Sequence, residues 1–128
     1  MRLLLDTHAF LWWLAGDTAL AASAQAAIAD EGNEIFVSAA SVWEIATKHR
    51  LGKLPGVAAI ASDLGAAIAD QGFLGLPITL RHAQIGGTLP GPHRDPFDRM
   101  LIAQALAEQL VLVSNEQIFD IFGVQRLW

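Results

Sequence analysis

Apolar residues along this chain gather into short unbroken runs, each closed by a polar break and followed by a longer stretch rich in Ala and Leu. Leu3-Leu4-Leu5 runs straight into Asp6-Thr7-His8, Ile35-Phe36-Val37 into Ser38, and Leu110-Val111-Leu112-Val113 into Ser114-Asn115-Glu116. A continuous apolar run bounded by a polar turn fits a strand buried on both faces, as in parallel sheets. Strands are therefore predicted at residues 3–5, 34–37, within 72–78, at 110–113 and at 124–127.

Helices are predicted between them. One covers residues 9–15 and ends at Gly16; an Ala-rich one covers 19–30; a third covers 39–50, with Ser38 as its cap and Gly52 beyond its end. A weaker helix at 57–70 is interrupted by Gly65, and Thr79 opens another at 80–85. The run Gly86-Gly87-Thr88-Leu89-Pro90-Gly91-Pro92 is the best loop candidate. Asp95 is a good N-cap and Pro96 takes the preferred first helical position, so a helix leads through Met100 to Gln109. A short helix at 117–122 stops at Gly123. Strands alternating with helices predict an α/β fold with a mostly parallel sheet, one domain over residues 1–128.

Composition narrows the function classes. The chain is 53% hydrophobic and 16% charged, which is globular rather than disordered. It has no cysteine, so disulfides and thiolate metal sites are excluded. No apolar run approaches the ~18 residues that span a bilayer, and Asp6 and His8 interrupt the N-terminal apolar stretch, unlike a signal peptide. A cytoplasmic location is expected. The net charge of −5 argues against strong nonspecific nucleic-acid binding, but not against a nucleic-acid enzyme whose acids surround a cation.

Four acids look related: Asp6, Glu44, Asp98 and Glu116. Asp6 and Glu116 follow apolar strands, and Asp98 lies in the first turn of a helix. In a parallel sheet the strand carboxyl ends and the following helix N-termini share one edge, where open α/β sheets bind ligands. Carboxylates without Cys or a helical His pair favour a hard cation, Mg²⁺ or Mn²⁺. Phosphodiester hydrolysis uses such a site. Each acid also has a plainer explanation. Asp6 can be a helix cap, Asp98 a favourable charge worth about 0.3–1 kcal/mol near a helix N-terminus, and Glu116 a solvated residue. Glu44 can be paired with Lys48 one turn on.

Four segments carry a family likeness: Leu3-Leu4-Leu5-Asp6-Thr7-His8, Ser38-Ala39-Ala40-Ser41-Val42-Trp43-Glu44-Ile45, the run from Asp95-Pro96-Phe97-Asp98-Arg99 to Ala105, and Leu112-Val113-Ser114-Asn115-Glu116. In this order and spacing the chain resembles the VapC family of PIN-domain ribonucleases, the toxins of type II toxin–antitoxin pairs. The resemblance implies a PIN-like three-layer domain with five strands in the order 3-2-1-4-5, and Mg²⁺- or Mn²⁺-dependent cleavage of RNA. It implies Asp6, Glu44 and Asp98 as catalytic metal ligands. The fourth position, commonly Asp in the family, holds Glu116. Thr7, Ser114 and Asn115 are implied as donors that orient these acids, and Asp95 as a cap. The family also implies a homodimer and a VapB-like antitoxin. Leu11, Trp12, Trp13, Leu51 and Leu54 are candidates for its groove, with ordinary core packing as the alternative. Among the cations near the acids, Lys48, Arg94 and Arg99 are candidate RNA contacts, with Arg50, Lys53 and His93 beside them.

Two other readings stay open. A phosphatase or phosphotransfer domain also uses an Asp after its first strand, but usually wants a second Asp two residues on, where His8 stands. The other is a partner-binding module with weak or no catalysis.

Overall fold

A computed structural model describes residues 1–128. Its five strands are β1 (Arg2–Leu5), β2 (Glu34–Ser38), β3 (Leu74–Leu76), β4 (Val111–Val113) and β5 (Arg126–Leu127). All pairings are parallel and the order is β3-β2-β1-β4-β5. The helices are α1 (Thr7–Ala15), α2 (Ala22–Ala29), α3 (Ala39–Arg50), α4 (Ala58–Ala61), α5 (Leu64–Asp70), α6 (Leu80–Thr88) and α7 (Pro96–Glu108), with a 3₁₀ turn at Gln117–Phe122.

The three leucines of β1 make the middle of the molecule, and each is fully buried. Side chains alternate across a strand. Leu3 and Leu5 therefore join Phe10, Ala24, Val37, Ile45 and Ile68 in one core, beneath α1, α2 and α5. Leu4 faces the other way, into a second core with Leu101, Ile102 and Ala105 of α7, Leu112 of β4 and Phe119. An uninterrupted apolar triplet is what a strand covered on both faces needs, and the pattern does not reveal which leucine belongs to which layer.

Strand order reverses at β1. The chain builds outward through β2 and β3, then returns to lay β4 on the other side of β1, with Leu5 opposite Val113. The carboxyl ends of β1 and β4 flank this switch point, where adjacent connections leave in opposite directions and open a crevice.

Several predicted boundaries move. The helix placed at 19–30 starts at Ala22, because Asp17 folds its side chain onto the Ala19 amide in a turn. The interruption expected at Gly65 falls at Ser62-Asp63 instead: Asp63 caps α5 through the Ala66 amide, so Gly65 lies inside the new helix. Gly86-Gly87-Thr88, expected in a loop, form the last turn of α6. Thr79 and His82 close a capping box at its start, and α6 packs tightly on α7. A Cβ at Gly86 would stand 3.6 Å from both the Ala103 Cβ and the Arg99 carbonyl, so the small residue suits a close helix crossing rather than a break. The last strand pairs only over Arg126–Leu127, not from residue 124.

Candidate active site

Asp6 is the first residue past β1. Its backbone N–H continues the sheet to the Val113 carbonyl, and its Oδ1 accepts from the Ala9 amide at 2.8 Å as the N-cap of α1. The side chain is buried, and burial raises its pKa, partly offset by the Ser114 hydroxyl and the Ala9 amide. Asp6 is thus a helix cap and also a desolvated acid. The plain explanation and the functional one describe the same side chain.

Glu44 reaches the same edge from α3. It is buried and is held by two donors: Thr7 Oγ1 at 2.6 Å on Oε1, and Lys48 Nζ at 2.5 Å on Oε2. Thr7 also lies 3.0 Å from Ser41 Oγ. Ser41 precedes Glu44 by three residues, so the two share a helix face. Its role escaped the sequence reading, although that spacing was visible.

Asp98 enters from the first turn of α7. Asp95 caps that helix, accepting from the Phe97 amide at 2.9 Å and the Asp98 amide at 3.3 Å. The Asp98 carboxyl is pushed up to about 6, first by desolvation, then by the nearby charges of Asp95 and Glu116. His93 Nε2 donates to its Oδ2 at 2.8 Å and works against the rise. In sequence His93 was only a cation near the acids; its contact depends on the 89–95 loop turning back onto α7. Arg99 straps that loop, donating to the backbone carbonyls of Gly86 and His93 at 2.9 Å each and to that of Leu89.

Glu116 closes the set from the β4 side, with its amide on Ser114 Oγ at 3.0 Å. Its charge is felt by both Asp6 and Asp98, and Lys48, on Glu44, feels the charges of Asp95 and Asp98. Glu116 therefore lies within electrostatic reach of both Asp6 and Asp98, and Glu44 adjoins them through Thr7 and Lys48. As the side chains stand, no three His, Cys, Asp or Glu residues form a ready metal cage. Asp6, Glu44 and Asp98 each rest on a protein donor instead.

The remaining candidates divide. Thr7 and Ser114 touch the acids or their supports, whereas Asn115 is exposed. Arg94 is exposed on the loop beside Asp95. Two expected RNA contacts are engaged otherwise: the Lys48 ammonium holds Glu44, and the Arg99 guanidinium holds its own backbone. In this structure Arg99 serves as a loop strap. Of the groove candidates, Leu11, Trp12 and Leu54 line one apolar groove of about 390 Å³ between α1 and residues 54–60. Trp13 does not line it, because the adjacent position on α1 turns its ring onto Phe73 and its Nε1 to Gln71 Oε1 at 2.9 Å. Leu51 is half exposed and also lies outside it.

No curated protein sequence matches this chain significantly. Among solved structures it is similar to VapBC2 from Rickettsia felis bound to a promoter DNA fragment, with a TM-score of 0.71 at 16% identity, covering 99% of this chain and 98% of the other. VapBC-1 from nontypeable Haemophilus influenzae gives 0.70 at 16% identity, with 99% and 97% covered. FitAcB from Neisseria gonorrhoeae gives 0.63 at 19%, with 98% and 96% covered. At these identities the likeness establishes the fold. The PIN domain family matches residues 3–124, nearly the full length and all four segments that bear the acids, and the chain belongs to that family.

Proposed function

We propose that the chain is a divalent-cation-dependent endoribonuclease, the toxin of a VapBC-type pair. The observation that carries this is the group of acids at the switch point, of which Asp6, Asp98 and Glu116 have no Lys or Arg partner. Burial holds Asp98 near 6 and raises Asp6, and Glu116 adds to both rises. A protein seldom keeps desolvated like charges together without a cation or a chemical use for them.

The donor set is all oxygen, which suits Mg²⁺ or Mn²⁺. Mg²⁺ keeps several waters and takes one or two protein carboxylates, so no complete cage is required. Asp6, Asp98 and Glu116 would hold the ion, with Glu44 joining if Lys48 lets go of it. When bound, such an ion stabilises charge on phosphoryl oxygens and lowers the pKa of an attacking water.

The chain's own residues do the rest. Thr7, backed by Ser41, fixes one oxygen of Glu44. Ala9 fixes one oxygen of Asp6, and His93 one of Asp98. For Asp6 and Asp98 the other oxygen is left for a ligand, whereas Lys48 occupies that of Glu44. The apolar groove formed by Leu11, Trp12 and Leu54 fits an amphipathic segment of a VapB-like antitoxin, and self-association as a homodimer belongs to the same reading. The test is hydrolysis of a mixed-sequence RNA with Mn²⁺ or Mg²⁺, with Asp6→Asn as control. Cleavage by the native protein, abolished in the variant and by chelation, is expected. Turnover of a phosphomonoester but not RNA overturns the assignment.

A further inference from the structure

Two of the cations expected to grip RNA are engaged elsewhere, while Arg50, Lys53 and Arg94 are exposed. Lys48 is paired with Glu44, Arg99 straps the backbone, and the net charge is −5. A substrate strand approaching these acids gains from a further, uncharged source of affinity. Trp43 is 62% exposed, the only one of the four tryptophans without substantial cover. It directly precedes Glu44 on α3. Phe97 directly precedes Asp98 on α7. The two rings meet edge to face, with centroids 5.1 Å apart at 77°. Two helices distant in sequence thus place an aromatic pair one residue from two of the site's acids.

We propose that Trp43, buttressed by Phe97, is a stacking platform for one unpaired nucleobase of the RNA strand. This rests on the ribonuclease reading above and names how its substrate is held. Edge-to-face packing leaves a face of the indole free and restrains its rotamers, so little ordering is lost when a base lands on it. Base–aromatic stacking is neutral and sequence-tolerant, and so gives affinity where phosphate contacts are scarce. The platform discriminates single strands from duplexes, whose bases already stack on one another.

The test uses a single-stranded RNA oligonucleotide carrying 2-aminopurine, whose fluorescence is quenched on stacking, and a duplex of the same sequence. Binding is measured in EDTA across salt concentrations, and KM for cleavage is measured with Mn²⁺. Trp43→Ala is expected to weaken single-strand binding roughly 5- to 150-fold, the range that one lost stacking contact supports. The quenching disappears, the salt slope stays as in the native protein, and KM rises more than kcat falls. Trp43→Phe restores most of the affinity. Unchanged single-strand binding in Trp43→Ala, or an equal loss on the duplex, overturns the platform. So does a shift of the free protein from dimer to monomer in sedimentation, which would assign the pair to self-contact. The two readings fail distinguishably. Trp43-dependent binding without cleavage removes the nuclease and leaves the platform, whereas cleavage that ignores Trp43 does the reverse.

Discussion

Replacing Asp98 by Asn tests whether the cluster is a stored electrostatic cost. The folded chain holds the Asp98 carboxyl near 6 rather than at its ordinary 3.8. Below about pH 4 it is protonated in folded and unfolded chains alike and contributes nothing. Between about 4 and 6 only the folded chain keeps the proton, so stability falls as pH rises. Above about 6 the full penalty is present. At about 1.4 kcal/mol per pH unit the ceiling is about 3 kcal/mol. Asp98 keeps contact with water, at 19% side-chain exposure, and screening reduces the figure to about 1–2 kcal/mol. Asn keeps an acceptor for His93 and carries no charge. In EDTA, urea unfolding should find Asp98→Asn more stable than the native protein by about 1–2 kcal/mol at pH 7.5, with the advantage gone by pH 4. Mn²⁺ at pH 7.5 should then stabilise the native chain and leave the variant unmoved. If the variant is the less stable of the two at pH 7.5 without metal, the carboxylate is favourably placed and the reasoning from desolvated acids fails.

Other positions give independent checks. Thr7→Val leaves Glu44 Oε1 without its donor; a stability loss of about 1–3 kcal/mol is expected from denaturant unfolding, together with reduced RNA cleavage. Arg99→Lys keeps the charge but not the planar fork that spans carbonyls of residues 86, 89 and 93. Limited proteolysis should then cut within residues 89–95 sooner than in the native chain. Leu4→Ala opens a cavity at the fully buried centre of the sheet and should cost about 2–5 kcal/mol, read as a fall in the denaturant midpoint.

The architecture was legible because the strands are covered on both faces and so stand out as pure apolar runs. Five strands and the α/β layering follow from that pattern, and the strand order is the one the family resemblance implies. Local chemistry was legible for the same kind of reason. Asp95 with Pro96, Ser38 before its helix and Gly16 after another act within a few residues, where only backbone amides and dihedrals are involved. Boundaries failed where packing outweighed local preference. Two glycines that read as a loop are helical because α7 lies close against one of them, and Gly65 does not break a helix because Asp63 starts a new one.

The chain by itself determined which acids sit at strand ends and helix starts, since that depends on neighbours in sequence. It could not say what each charged group faces. Lys48 and Arg99 read as free cations, yet one neutralises Glu44 and the other binds carbonyls. Ser41 and His93 were unremarked as supports, yet one backs Thr7 and the other holds Asp98. Trp43 and Phe97 meet only because α3 crosses α7. Helical and strand periodicity is a property of a short segment, whereas pairing and desolvation depend on which segments the fold brings together, and tertiary contact alone decides that.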